Sequence, residues 1–121
     1  MNDCKINILG TEYYVKFVDY KSETCFEKNS ISGYCNSYTK NIRIVKMETY
    51  PGFEDESEDT RNICMKETLR HEIIHAFLGE SGLKDSTSNC MNGWSNFEEM
   101  IDWIALQSPK IFQLFKELDI L

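Results

Sequence analysis

The chain reads as an α+β fold: a small antiparallel sheet packed on one long helix, which is followed by two further helices. Three observations predict this class. Apolar residues alternate at period two in the first third, recur at helical spacing from about residue 58, and reappear after helix-start signals near Ser95 and Pro109. At 121 residues the expectation is a single domain, 1–121, with one modest core. Its 41% hydrophobic and 27% charged content is that of a folded globular chain.

The elements follow in order. Ile6 and Ile8 precede a turn at Gly10-Thr11, after which Tyr13, Val15 and Phe17 alternate as a half-buried strand does. Asp19 to Asn29 is polar and reads as a loop or short helix. Gly33-Tyr34-Cys35 and Ile42-Arg43-Ile44-Val45 flank the turn-like segment Asn36 to Asn41, the pattern of a second hairpin. Tyr50-Pro51-Gly52-Phe53 is a connector, and the acidic run from Glu54 to Asp59 favours the start of the next helix through its positive end. Cys64, Met65, Leu69, Ile73, Ala76 and Phe77 then form an apolar stripe on a helix from about Glu58 to Leu78, with Gly79 near its end. Gly82, Ser86, Ser88, Asn89, Asn92 and Gly93 mark a loop. Ser95 is placed to cap a helix running to Gln107, and Pro109 to open a last one at its first helical position. Trp94, Phe97, Trp103, Phe112 and Phe115 are expected in the core.

Composition excludes several function classes. A net charge of −7 repels phosphate backbones and anionic lipid, so direct binding of nucleic acid or membrane is not expected. No apolar run reaches the length of a membrane span, and Met1-Asn2-Asp3-Cys4-Lys5 lacks the layout of a secretory signal. The five cysteines, Cys4, Cys25, Cys35, Cys64 and Cys90, are odd in number and contain no Cys-x-x-Cys pair. They are expected to be reduced thiols of a cytoplasmic protein, serving as small buried hydrophobes.

The chemistry is concentrated in His71-Glu72-Ile73-Ile74-His75, which holds the only two histidines of the chain. On a helix this spacing puts two imidazoles one turn apart on one face with a carboxylate beside the first, which is half a zinc site and its general base. A catalytic zinc needs a third protein ligand and an open position for water. No third histidine exists, and Ser81 stands six residues after His75, which excludes the three-histidine metzincin pattern. The third ligand must then be a carboxylate or thiolate from another element. Glu98 is the preferred candidate, since with Asp102 it lies beside the apolar face of Phe97, Ile101 and Ile104, while Glu99 turns further towards solvent. Asp102 could then accept the second ring N–H of His71. Ser95-x-x-Glu98 also reads as a capping box, in which the glutamate would only reach back to a backbone amide.

These residues carry a resemblance. Thr68 to Leu78 around the motif, together with Glu98-Glu99-Met100-Ile101-Asp102-Trp103-Ile104-Ala105, resembles the gluzincin-like peptidases of the ImmA/IrrE type, and more closely the small phage-type metallopeptidases. Gly33 to Ile44 is similar to the hairpin that precedes the zinc helix there. The resemblance implies a zincin-like domain with zinc as cofactor, ligands His71, His75 and Glu98, and Glu72 as base. It also implies protein substrates, repressors among them. Larger relatives carry a helix-turn-helix domain for which this chain has no room.

Two function classes follow. The first is a zinc-dependent peptidase with a narrow set of protein substrates, in which Glu72 takes a proton from the attacking water and passes it to the leaving amine. Tyr50, Tyr38 and Arg70 are the candidates to stabilise the oxyanion. The alternative is a zinc-stabilised binding module that engages a regulatory partner without cleaving it. Retention of Glu72 argues against the latter, because a structural zinc site needs no carboxylate at that position. Hydrolysis of a non-peptide amide or ester would use the same residues.

Overall fold

The computed structural model describes residues 1–84 and 94–121. The expected loop residues Ser86, Ser88, Asn89, Asn92 and Gly93, and Cys90, lie outside the described residues.

Strands β1 (Cys4–Ile8) and β2 (Thr11–Val18) form an antiparallel hairpin, as their alternation predicts. Leu9 and Gly10, with φ of 50° and 92°, make its two-residue turn, a conformation that glycine adopts without steric penalty. A short 3-10 turn (Tyr20–Ser22) and helix α1 (Thr24–Asn29) follow, then a second antiparallel hairpin, β3 (Gly33–Asn36) and β4 (Asn41–Val45).

The four strands make one sheet in the order β1-β2-β4-β3, and β2 pairs with β4 in parallel, Val15 opposite Ile42 and Phe17 opposite Ile44. The sheet is therefore mixed rather than antiparallel. Residues 19–32 stay at the end of the sheet where β2 finishes and set β3 down two places away. When β4 turns back to fill the gap, it must run in the same direction as β2.

Helix α2 (Glu58–Glu80) begins where the acidic run ends, with the Ser57 side chain accepting from the Thr60 N–H and Glu58 and Asp59 in its first turn. It lies across one face of the sheet. Between them sit Ile8, Tyr13, Val15, Ile42 and Ile44, each at most 1% exposed, with Met65 and Ala76 of the helix. Burying each large apolar side chain contributes about 1.5–3 kcal/mol. A smaller cluster of Tyr20, Phe26 and Val45 sits beside α1.

Helix α3 (Glu98–Glu117) runs without interruption through Pro109, so the two C-terminal helices read from the sequence are one. Its N-cap is Phe97, not Ser95. Ser95 lies in a 3-10 turn (Trp94–Asn96), buried, and donates to the Leu83 carbonyl. The capping box is therefore not formed. Only Ile101 and Ala105 of α3 are buried. Trp94, Phe97, Trp103 and Phe112 are each at least half exposed and Phe115 is partly buried, contrary to the expected core role, because α3 meets the rest of the chain along a narrow stripe. Among the described cysteines, all free, Cys4 is exposed rather than buried, and Cys25, Cys35 and Cys64 are partly buried. No helix among the described residues is long and apolar enough to cross a membrane.

Candidate metal centre

One turn of α2 separates His71 from His75, and their Nε2 atoms come within 3.0 Å of each other on the face turned towards α3. Glu98, in the first turn of α3, completes the group. Its Oε2 lies 3.0 Å from His71 Nε2 and its Oε1 3.3 Å from His75 Nε2. Asp102, one turn along α3, places Oδ1 2.7 Å from His71 Nδ1. The ring N–H on Nδ1 then points to a carboxylate, and Nε2 is left as the donor atom. Glu99 is exposed and makes no such contact. Of the two carboxylates weighed from the sequence, Glu98 is the one brought to the histidines.

Glu72 stands apart from this arrangement in its surroundings. Met65, Leu69, Glu72 and Ala76 form one stripe at helical spacing, so its side chain occupies a position on the core-facing side of α2 and is only 7% exposed. Its carboxylate still lies within 4.8 Å of the donor nitrogens of both histidines, so His71, Glu72 and His75 alone could also hold an ion. Glu98 differs in that it touches both Nε2 atoms and is largely exposed, while Glu72 is sequestered. Burial raises the Glu72 carboxyl to about 7, with the Glu98 charge adding to the rise, and His71 and the Cys35 backbone N–H opposing it. A carboxylate poised near neutrality suits a proton carrier. Burial also lowers the His75 imidazole, which favours the neutral form that ligates metals, although the Glu98 carboxylate opposes that trend.

Strand β3 forms the wall of the site facing Glu72. It can approach α2 because residue 33 is glycine: a Cβ there would sit 2.6 Å from Thr68 Cγ2 and 3.0 Å from the Arg43 carbonyl oxygen. The neighbouring Ser32 and Thr68 hydroxyls are 3.1 Å apart. The Val45 N–H bonds to the Ser32 carbonyl at 2.8 Å, and the alternation of an antiparallel ladder then turns the N–H and C=O of Gly33 and Cys35 to the unpaired edge of the sheet. A cleft of about 570 Å³ lies on one side of the His71–Glu72 pair and another of about 400 Å³ on the other. Both are bordered by Ile31, Gly33 and Glu98, so they form two arms meeting at His71 and Glu72, and His75 lines the smaller one.

Among the oxyanion candidates, Tyr50 lines the larger arm, packed edge-on against Tyr20 and Phe53. Tyr38 is 93% exposed in the β3–β4 turn, and the Arg70 Nε donates to the Ala105 carbonyl at 2.6 Å. Neither borders the clefts. Two features escaped the sequence reading. One is the Cys35 N–H facing Glu72, which only the register of β3 reveals. The other is Glu80, which accepts from the Thr11 and Tyr13 hydroxyls at 2.9 and 2.8 Å and from Lys40, tying the end of α2 to the sheet.

No family model, curated protein or solved structure matches this chain. The donor set stands on its own chemistry. Two imidazole nitrogens and one carboxylate oxygen converging from two helices, open to solvent on one side, fit the three-ligand set of a catalytic zinc.

Proposed function

We propose that the chain is a zinc-dependent peptidase of the gluzincin type, with His71, His75 and Glu98 as ligands and Glu72 as the general base. The observation that carries this reading is the division of labour between two glutamates at one pair of histidines. Glu98 touches both imidazoles from the open side, and Glu72 is buried against β3. A site that only braced the fold would gain nothing from Glu72, since an unpaired buried carboxylate is unfavourable where an apolar side chain would fit.

Zinc, when bound, acidifies a water and polarises a carbonyl. Asp102 holds the His71 ring so that Nε2 faces His75 and Glu98, the residues that would hold the ion with it. Glu72 accepts the proton of the attacking water and delivers it to the leaving amine. Tyr50 borders the arm in which a substrate carbonyl would lie and is the residue offered for its oxygen. The edge of β3 suits an extended peptide, which can bond to the outward N–H and C=O of Gly33 and the outward C=O of Cys35, the Cys35 N–H being turned to Glu72. The substrates on this reading are a narrow set of proteins, a repressor or other regulatory protein of a mobile element among them. The location that fits is the cytoplasm.

The test is a zinc-loaded protein with a co-expressed candidate partner, beside the Glu72→Gln variant. Loss of the partner with native Glu72, abolished in the variant at full zinc occupancy, is the expected result. Partner binding that is equal in both, with no cleavage in either, would instead establish the binding module. Casein should be cut sluggishly, and vigorous digestion would refute the narrow specificity.

A further inference from the structure

An α-helix containing an internal proline carries an orphan. The carbonyl four residues earlier expects an N–H that proline lacks. In α3 the proline is Pro109 and the carbonyl is that of Ala105. The Arg70 Nε, from α2, donates to this same oxygen at 2.6 Å. We infer that Arg70, through the proline-vacated Ala105 carbonyl, is a positioning residue that fixes the register of α3 on α2 and so brings Glu98 and Asp102 to the histidines. The inference rests on reading the site as a metal centre.

The geometry gives the latch its purpose. Arg70 immediately precedes His71, and Ala105 lies on the same face of α3 as Asp102 and Glu98, one and two turns further along. A slip of one residue between the helices moves a side chain by about 1.5 Å along the axis and about 100° around it. That would break the 2.7 Å contact of Asp102 and the 3.0 Å contact of Glu98 with His71. Apolar packing alone holds the register weakly here. The buried part of α3 is Ile101 and Ala105, while Trp103, Leu106, Phe112 and Leu114 are largely exposed. A directional bond to one carbonyl, available because residue 109 has no N–H to fill it, supplies what that packing lacks.

Three variants test this: Arg70→Met, which keeps the stem but no donor; Arg70→Lys, which keeps a donor; and Arg70→Met with Pro109→Ala, in which the residue 109 N–H fills the carbonyl without tying the helices. The probe is Co²⁺, read by affinity and by its visible ligand-field spectrum, together with thermal unfolding of the metal-free chain. Arg70→Met should bind Co²⁺ about 10-fold more weakly with an altered spectrum, within the usual effect of losing a residue that orients ligands, and Arg70→Lys should recover most of the affinity. The double variant should regain the melting temperature lost in Arg70→Met but not the Co²⁺ affinity. Should Arg70→Met fail to fold, the double variant carries both readouts. Unchanged Co²⁺ affinity and spectrum without the Arg70 donor would overturn the latch, as would a double variant that regains affinity along with stability. A parent chain that binds no Co²⁺ sinks the metal reading instead, and the melting temperatures still report whether Arg70 serves the Ala105 carbonyl.

Discussion

His71 and Asp102, on different helices and 31 positions apart in sequence, meet at 2.7 Å between Nδ1 and Oδ1. The carboxylate accepts the ring N–H there, fixes the tautomer and turns Nε2 towards His75 and Glu98. Asp102→Ala should therefore weaken zinc binding by roughly 10-fold to 100-fold without unfolding the chain. Asp102→Asn still offers an oxygen to the N–H but no charge, and should fall between the two. Competition with a chromophoric chelator measures both, and an unchanged affinity in the alanine variant would make Asp102 a bystander.

Glu98 and Glu99 are adjacent in sequence and separate in the fold. Glu98 reaches both Nε2 atoms, at 3.0 and 3.3 Å, whereas Glu99 is exposed. Glu98→Ala should reduce zinc below stoichiometric retention after gel filtration, and Glu99→Ala should leave one zinc per chain. Elemental analysis of the two variants separates them, and the reverse pattern would reassign the ligand.

How much of this was legible beforehand depends on the range of the interaction. The motif, its helix and the start of that helix near Glu58 are local, governed by spacing and charge within one element, and they appear where the sequence puts them, whereas the Ser57 cap was not read from it. So do both hairpins, since alternation and turn residues lie within a few positions. The parallel β2–β4 pairing is set by how far residues 19–32 carry the chain before β3, which no local pattern records. The break expected before Pro109 is absent, and the carbonyl that the proline strands accepts a tertiary bond from Arg70, a partner that no local pattern records. Likewise, the burial of Glu72 becomes visible only once β3 is laid along α2.

Gly33 is where that close approach is made. An added methyl would meet Thr68 Cγ2 at 2.6 Å and the Arg43 carbonyl oxygen at 3.0 Å, and the latter is backbone that cannot rotate away. Gly33→Ala should lower stability by about 1–3 kcal/mol through overpacking and push β3 outward from α2. Chemical denaturation measures the first effect. Gly33→Ala paired with Thr68→Ser, which removes the nearer methyl, should recover part of the loss, and no recovery would place the strain elsewhere.

Glu72 makes a prediction about pH in the metal-free chain. Its carboxyl, near 4.5 when solvated, is raised to about 7 in the fold, chiefly by burial. Between those values the folded chain retains a proton that the unfolded chain has released, so stability must fall as pH rises through that window. The full loss is on the order of 3 kcal/mol. His75 works in the opposite direction, because burial lowers its imidazole and the unfolded chain is the one that holds that proton. Comparing the parent with Glu72→Gln cancels the His75 contribution to first order. The difference in unfolding free energy should favour Glu72→Gln increasingly from pH 5 to pH 7.5, measured by urea denaturation in the presence of a chelator. A constant difference across that range would mean that Glu72 ionises in the fold as it does in water, and its assignment as a base poised near neutrality would then fail.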